Sequence, residues 1–316
     1  MEINVIETFC CPVCKGALLQ SSVSLVCAYC QLAYPCVQGR PILVPLVAQN
    51  GIGSEALLDA ASSLPVRNQV PSLANGYDLG TEDLFFSKLF SHFDRRDSHW
   101  AFLGRKVSEM VAKIPEGAAV LDIGAGECKY AAILSHTRYI STDLVSSSDK
   151  HDFSRIDVVA DASAIPFQDN VFDVALNLVV LEHVPDPGLT VREMARILKP
   201  GGFAYALIPL VRPEHLVPYD FQRFTRYGIQ RLFESNGFQI NSIEGSNGAL
   251  WTAVHYARLI AQTQPLTRFG RRSILGILLN RFWYFVFWPL VAYARRTDSN
   301  YDATFPIYFW VRAIKI

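Results

Sequence analysis

The 316-residue chain is half hydrophobic and 12% aromatic, so it has enough apolar side chains to bury a substantial core. This composition excludes a disordered or low-complexity protein, which lacks the apolar surface needed to offset the entropy of ordering. Lys plus Arg and Asp plus Glu number 29 each, and a formal net charge of zero argues against a generally basic nucleic-acid-binding protein. Met1–Asn4 lacks the charged start and apolar run of an export signal, so we expect a cytoplasmic protein.

Six of the seven cysteines lie between Cys10 and Cys36, and four of them form two Cys-x-x-Cys pairs separated by twelve residues. Two such pairs facing each other place four thiolates around a tetrahedral Zn²⁺, whereas disulfides are rare in a reducing compartment. The predicted ligands are Cys11, Cys14, Cys27 and Cys30. Cys11 is preferred to Cys10 because it precedes a proline, as zinc knuckles often do. The alternatives to a zinc site are a chance clustering of cysteines and a redox-active Cys-x-x-Cys pair.

A segment of about 45 residues has too small a core to fold unaided, so metal binding would supply the missing stability. The run Cys11–Leu18, with Tyr34-Pro35 and residues 39–43, resembles the small zinc-ribbon proteins that activate tRNA and protein methyltransferases. The resemblance covers residues 8–46. It implies a zinc-ribbon domain over residues 1–46 whose metal is structural, because four thiolates fill the coordination shell.

Residues 47–98 contain several turn-forming pairs and are predicted to be a linker followed by a helical approach at Leu84–Phe93. A helix is predicted over Trp100–Ile114 from apolar residues at helical spacing. The apolar run Ala119–Ile123 then leads into Gly124-Ala-Gly126, and a strand entering a glycine turn lets backbone approach a cofactor. We expect a helix at Tyr130–Leu134 after the turn. The dinucleotide-binding fingerprint has a third glycine at the position of Lys129, so the two glycines alone are weak evidence for a cofactor site.

Strands and helices then alternate, which predicts an α/β fold with a doubly wound, Rossmann-like sheet of seven strands. The later predicted strands are 139–143, 156–160, 171–177, 203–209, 238–244 and an antiparallel final strand within 304–316. The predicted helices are 188–198 and 226–235, the second with Thr225 as its N-cap. The domain would cover residues 99–316, with a helical insertion at 245–297 before the last strand.

Six short motifs occur in the order found in class I S-adenosylmethionine (SAM) methyltransferases. They are Leu121-Asp-Ile-Gly-Ala-Gly126, Thr142-Asp143, Asp161-Ala162, Phe172-Asp-Val174, Leu181-Glu-His-Val184 and Leu198-Lys-Pro-Gly-Gly202. The chain resembles that family, of the type 11 kind, over about residues 100–245 and the last strand. The expected cofactors are therefore SAM and Zn²⁺.

The resemblance also assigns roles to particular residues. Gly124 and Gly126 would approach the methionine part of SAM, and Asn177 would lie beside the same part. Asp143 would bind the ribose, and an acid at the end of a second strand suits both ribose hydroxyls. Asp161 and Ala162 would meet the adenine, while Asp122 would support the glycine turn. Taken singly, each acid is equally compatible with an ordinary strand-end or cap residue.

Residues for the methyl acceptor are expected in loops beyond the strand ends, where open α/β sheets bind ligands. His215 is a candidate base because its reference pKa is near neutrality. Asp220 and Arg223 would orient a polar acceptor or pair with each other, and the pairing is preferred. His183 is at least equally compatible with a packed structural histidine. The sequence has no Asn-Pro-Pro-Tyr signal of amino-group methylation.

The insertion Gly245–Thr297 has seven arginines and no acid, and its run Phe282–Ala294 is apolar and aromatic. A simple membrane span is rejected, because it would include Arg281 and would separate the last strand from its sheet. Peripheral contact of residues 248–297 with an anionic membrane is the preferred interpretation. A substrate lid packed on the protein's own core is the alternative.

The sequence thus predicts a SAM-dependent methyltransferase acting on a small-molecule, glycan or lipid-type acceptor, cytoplasmic or associated with the inner face of a membrane. The first rival is a zinc-ribbon rRNA or tRNA methyltransferase. Residues 1–46 disfavour nucleic acid because they hold only Lys15 and Arg40 against Glu2 and Glu7. The second rival is a non-catalytic, methyltransferase-like partner protein.

Overall fold

A computed structural model describes residues 8–21, 24–45, 99–145, 152–257 and 304–316, together with residues 260, 278, 282, 285–290 and 292–294. The predicted linker and helical approach at 47–98, and much of the insertion, lie outside the described residues. No helix within this described part of the chain is long and apolar enough to cross a membrane.

The described elements alternate as the sequence pattern predicts. The strands are β1 Leu18–Gln20, β2 Ser24–Cys27, β3 Ala33–Val37, β4 Arg40–Leu43, β5 Ala119–Ile123, β6 Arg138–Asp143, β7 Val158–Ala160, β8 Phe172–Leu178, β9 Leu198–Pro209, β10 Phe238–Gly245 and β11 Tyr308–Lys315. The helices are α1 His99–Val111, α2 Pro187–Ile197 and α3 Arg226–Glu234, with a 3₁₀ turn at Leu181–His183. Residues 249–257 are also helical.

All eleven strands belong to one sheet, in the order β1-β2-β3-β4-β7-β6-β5-β8-β9-β11-β10. Strands β4, β7, β6, β5, β8 and β9 run parallel to one another, and β11 is antiparallel to β9 and to β10. The seven strands β5–β11 form the mixed α/β sheet with a parallel core that is typical of class I methyltransferases. The final antiparallel strand is confirmed.

Both faces of the sheet are covered, because successive side chains of a strand point to opposite faces. On β5, Leu121 belongs to a core cluster with Met194 of α2 and Phe233 of α3. Its neighbour Val120 belongs to a second cluster with Met110 of α1. The parallel strands are therefore buried on both sides and direct their carboxyl ends toward one edge, where a ligand site is expected.

The helices begin at side-chain caps. The Asp186 carboxylate accepts hydrogen bonds from the backbone N–H groups of Gly188 and Leu189 at the start of α2. The hydroxyl oxygen of Thr225 accepts one from the N–H of Gly228, which confirms the predicted cap of α3. The predicted helix at 130–134 is wrong: residues 126–136 form successive hydrogen-bonded turns. Their hydrogen bonds include those from the Ala131 N–H to the Cys128 carbonyl oxygen and from the Thr137 N–H to the Leu134 carbonyl oxygen, which join residues three apart as in turns.

The N-terminal ribbon is joined to the sheet. Its last strand, β4, pairs in parallel with β7, placing Ile42 opposite Val159 and Leu43 opposite Ala160. The Phe9 ring lies 5.1 Å from the Phe167 ring, measured between centroids. Four antiparallel-paired strands thus extend the parallel core at its β7 edge, a connection that the sequence pattern did not predict.

Both cations of the ribbon are engaged in this junction. The Lys15 ammonium lies 2.7 Å from a carboxylate oxygen of Glu193 on α2. Arg40 is fully buried and its guanidinium donates hydrogen bonds to the carbonyl oxygens of Ser154 and Ile156. These side chains hold the ribbon against the larger domain.

Candidate active site and metal centre

The glycine turn after β5 is packed against the turn that follows β8. Gly124 has a φ of +71°, and a Cβ built on it would lie 2.5 Å from Val180 Cγ2. Gly126 also has a positive φ, +53°, but a Cβ there would meet no atom within 4 Å. The first glycine is required by packing and backbone conformation, whereas the second leaves open space beside the turn.

Asp143, at the end of β6, links the glycine turn to the residues that follow β6 through hydrogen bonds. One carboxylate oxygen accepts a hydrogen bond from the Gly126 N–H at 3.0 Å, and the other accepts one from the Val145 N–H at 2.8 Å. Asp122 lies beneath the turn, buried, and accepts a hydrogen bond from the Tyr139 hydroxyl at 2.6 Å. Burial, assisted by the nearby Asp143 charge, raises the pKa of Asp122 to about 7, although the hydrogen bond from Tyr139 opposes the rise.

Polar groups at the ends of β7 and β8 are buried with unused hydrogen-bonding atoms. One oxygen of Asp161 accepts bonds from the N–H and the hydroxyl of Ser163, while its other oxygen has no partner. Neither side-chain amide atom of Asn177 has a partner, although the residue is fully buried. Ala162 is half-buried beside Asp161. Buried polar groups are nearly always satisfied, so these atoms indicate a place for a polar ligand.

A second set of unsatisfied groups lies beyond β8 and β9. Glu182 Oε1 lies 3.7 Å from His183 Nε2 and 3.8 Å from His215 Nε2. Both oxygens of Glu182 and both Nε2 atoms are buried without a hydrogen-bond partner. The two imidazole rings meet edge to face, with centroids 4.7 Å apart. Sequence reasoning did not select Glu182, although an acid and a histidine directly after a buried strand were the available signal.

His215, Asp220 and Arg223 are brought together as predicted. The Arg223 guanidinium donates to both oxygens of Asp220, at 2.5 and 2.8 Å, so the predicted pairing is confirmed. This ion pair holds the pKa of Asp220 well below its usual range. Asp220 also accepts a hydrogen bond from the His215 backbone N–H at 2.9 Å. Burial lowers the pKa of His183 and of His215, which favours neutral rings.

The four predicted cysteines form one cluster. One sulfur from each of Cys11, Cys14, Cys27 and Cys30 lies within 4.8 Å of the other three. The Tyr29 and Cys30 backbone N–H groups donate to the Cys27 sulfur at 3.4 Å, and the Tyr34 hydroxyl lies 3.2 Å from the Cys11 sulfur. Such donors stabilise thiolates and orient metal ligands. The donor set fits a closed, structural Zn²⁺ site.

Cys10 is not part of this cluster. Its sulfur donates to the Phe167 carbonyl oxygen at 3.1 Å, and burial raises the pKa of its thiol to about 11. The preference for Cys11 over Cys10 therefore agrees with the arrangement of the sulfurs.

Comparison with known proteins relates the chain to methyltransferases. Residues 121–206 match the family model described as a methyltransferase domain. A tRNA (carboxymethyluridine(34)-5-O)-methyltransferase of Arabidopsis thaliana is 30% identical over 31% of this chain and 26% of its own length. The ubiquinone biosynthesis O-methyltransferase of Stutzerimonas stutzeri is 30% identical over 41% of this chain and 62% of its own.

Among solved structures, phosphoethanolamine N-methyltransferase 2 of Haemonchus contortus is 15% identical, with a TM-score of 0.42 over 74% of this chain and 60% of its own. The chain spans less than two thirds of the length of these curated relatives. The matched residues hold the glycine turn, strands β6 to β8, and most of β5 and β9. These residues therefore belong to a class I SAM-dependent methyltransferase domain.

Proposed function

We propose that this protein transfers the methyl group of SAM to a small-molecule, glycan or lipid-type acceptor. The observation that carries the proposal is the set of unsatisfied buried atoms of Asp161 and Asn177 at the ends of β7 and β8. They lie at the carboxyl edge of the parallel strands, as does the glycine turn after β5. Cofactors of open α/β sheets bind at this edge.

In this proposal each cofactor residue has a physical task. Gly124 and Gly126 give the methionine part access to the backbone, and Asn177 offers it an amide donor and acceptor. The Asp143 carboxylate, which accepts the N–H bonds of Gly126 and Val145, is a charged acceptor suited to ribose hydroxyls. Asp161 and Ala162 meet the adenine, while Asp122 supports the turn from below. When bound, SAM supplies a methyl group on a sulfonium, so that alignment provides much of the catalysis.

The acceptor would lie beyond β8 and β9, against His183 and His215. The Nε2 atom of His215 carries a lone pair that can take a proton from the acceptor. Asp220 positions His215 through its backbone N–H, and Arg223 fixes Asp220. His215 therefore acts on the acceptor, while Asp220 and Arg223 are positioning residues.

Nucleic acid is the less favoured acceptor. The two cationic side chains of the ribbon already have partners in the protein: Lys15 pairs with the Glu193 carboxylate, and Arg40 donates to buried carbonyl oxygens. A ribbon that grips RNA needs cations directed at phosphates. Similarity to the ubiquinone-pathway O-methyltransferase supports a small-molecule acceptor, although similarity to a tRNA methyltransferase keeps RNA as the rival.

Peripheral membrane contact through residues 248–297 forms part of the proposal, because it suits a lipid-type acceptor. Trp251, Val254 and Ala294 are buried in the domain, whereas Phe285 is 69% exposed and Trp288 47% exposed. Exposed aromatic rings in a segment whose sequence is rich in arginine are typical of interfacial segments.

Isothermal titration calorimetry of the full chain with SAM tests the function. We expect binding to the unaltered protein and at least about tenfold weaker binding to Asp143→Ala, since a lost charge-assisted hydrogen bond costs about 1.5–3 kcal/mol. Asp169→Ala, which removes an exposed acid near the ribbon, is the control and should bind normally. Absence of SAM binding, or equal affinity of Asp143→Ala, overturns the cofactor assignment. SAM binding with no turnover over a broad acceptor panel would favour the non-catalytic rival.

A further inference from the structure

The cluster beyond β8 and β9 has three electron-pair donors and no hydrogen-bond donor between them. Glu182 is fully buried with both oxygens unpartnered, and the Nε2 atoms of His183 and His215 lie within 4 Å of Oε1. The nearby guanidinium of Arg223 is bonded to Asp220, and that of Arg212 is bonded to the Tyr308 hydroxyl. A buried carboxylate with no hydrogen-bond donor is costly, and either a proton or a bound cation between these atoms would offset that cost.

Both rings are turned so that Nε2 faces the carboxylate. His183 Nδ1 lies 2.6 Å from the Tyr219 carbonyl oxygen, a contact that requires Nδ1 to donate and leaves a lone pair on Nε2. His215 Nδ1 lies 3.2 Å from the Pro213 carbonyl oxygen and 3.3 Å from Asp220 Oδ2. Donation from the second ring nitrogen to a carbonyl or carboxylate is the usual support of a metal-binding histidine.

We infer that Glu182 Oε1, His183 Nε2 and His215 Nε2 bind a divalent transition-metal cation on the acceptor side of the site. The three atoms lie within 4.8 Å of one another. Ligands about 2.1 Å from a tetrahedral ion are about 3.4 Å apart, so the observed 3.7 and 3.8 Å need a contraction of only a few tenths of an ångström. Two imidazoles with one carboxylate suit Mn²⁺, Fe²⁺, Co²⁺ or Zn²⁺ better than Ca²⁺.

This site differs in kind from the cysteine cluster. Four thiolates close the coordination shell of a structural ion, whereas three protein ligands leave positions open for a substrate. The turn that carries Glu182 and His183 is the one that packs on Gly124, so the cation would lie next to the proposed SAM site. The open positions would take an acceptor oxygen, and the inference thus rests on the proposed function and narrows its acceptor to a hydroxyl compound.

With the cation bound, His215 would be a metal ligand, and this role replaces the part of base that the proposed function gives it in the metal-free site. Coordination to a divalent ion lowers the pKa of a hydroxyl group, and its proton passes to solvent. The oxygen electron pair then forms the new O–CH₃ bond. The S–CH₃ bond breaks with its electron pair left on sulfur, so the sulfonium becomes a neutral thioether and no redox partner is needed.

Mn²⁺ is a suitable probe because it is seen by electron paramagnetic resonance and competes poorly for thiolates. The full chain, with zinc in its ribbon, is titrated with Mn²⁺, and we expect one bound ion per chain. Glu182→Gln and His215→Gln should each weaken binding at least about tenfold. Glu214→Gln, the same change at an exposed neighbour, should leave it unaltered.

Failure of Mn²⁺, Co²⁺ and Zn²⁺ alike to bind beyond the ribbon's ion overturns the inference. Full binding by folded Glu182→Gln and His215→Gln proteins does so as well. If Glu182→Gln does not fold, His215→Gln decides, since His215 lies at the less buried end of the cluster. SAM calorimetry on the same samples separates the inferred metal site from the proposed function. SAM binding without a second metal ion overturns only the metal site, whereas metal binding without SAM binding overturns the proposed function.

Discussion

Gly124 is the residue at which backbone conformation and packing coincide. Its φ of +71° is unfavourable for any L-amino acid, and its α-carbon faces Val180 so closely that a methyl group has no room. Gly126 provides a natural comparison two residues away. It has a similar φ, +53°, but open space where a Cβ would be.

We therefore expect Gly124→Ala to lower the free energy of unfolding by about 2–5 kcal/mol, combining backbone strain with overpacking. Gly126→Ala should cost about 1–2 kcal/mol, from strain alone. Urea denaturation without SAM measures both. Val180→Ala in the Gly124→Ala background should recover part of the loss by relieving the contact. Equal effects of the two alanines would show that Val180 yields without cost.

Asn177 and Glu182 differ in how readily the sequence reveals them as candidate site residues. The family resemblance selected Asn177 as a candidate, because it occupies a defined place at the end of a strand. Glu182 belongs to an equally visible motif but was not selected, since its partner His215 is supplied by a loop 33 positions later. Only the packing of β8 beside β9 brings the two together.

Among the elements, the sequence pattern predicted most strands and helices of the larger domain, because most of them are long enough to show a periodicity, and it failed at residues 130–134. Strand β9 begins at Leu198, earlier than the predicted Phe203, since Lys199-Pro-Gly-Gly202 continues the strand. The junction of β4 with β7 could not be predicted. Four residues carry no periodicity, and the partner strand lies more than a hundred positions away.

Because β4 pairs with β7, we expect the metal ion of the ribbon to stabilise the sheet as well as the ribbon. Leu25, Tyr34 and Leu43 of the ribbon share one hydrophobic cluster with Ile165 and Phe167 of the larger domain. Loss of the ion should therefore loosen β4 and, with it, the neighbouring strand β7. The Asp161 carboxylate follows β7 directly, so the proposed adenine site would be disturbed as well.

We expect Cys14→Ser, or treatment with a zinc chelator, to speed amide hydrogen exchange in residues 158–160 at least about tenfold, because their pairing with β4 is lost. Mass spectrometry of the corresponding peptide measures the effect. Cys36→Ser, which alters a cysteine outside the cluster, should leave exchange unchanged, as should peptides from β10 at the opposite edge. Unchanged exchange in Cys14→Ser would mean that β7 is held without the ribbon.

For the whole molecule, a formal net charge of zero conceals two unlike parts. The insertion at 245–297 holds seven arginines and no acid, so the remaining residues have seven more acidic than basic side chains. A neutral total excludes a uniformly basic protein but leaves a local cationic segment intact. In the same segment the described aromatic residues of 282–293 are largely exposed, although Ala294 is buried in the core. A segment that combines arginines in its sequence with exposed aromatic rings is expected to bind a negatively charged, partly apolar surface.

Vesicle flotation tests that expectation. The chain should float with vesicles containing anionic lipid and not with neutral vesicles, and added salt should weaken the association by screening. Phe285→Ser with Trp288→Ser should reduce binding at least about tenfold, since each buried aromatic ring contributes about 1.5–3 kcal/mol. Tyr29→Ser with Tyr227→Ser, which removes two exposed rings elsewhere, is the matched control. Unchanged flotation of the Phe285→Ser, Trp288→Ser protein would show that these two rings do not bind the membrane. Absence of flotation with anionic vesicles would favour the alternative, in which the aromatic segment covers the protein's own acceptor site.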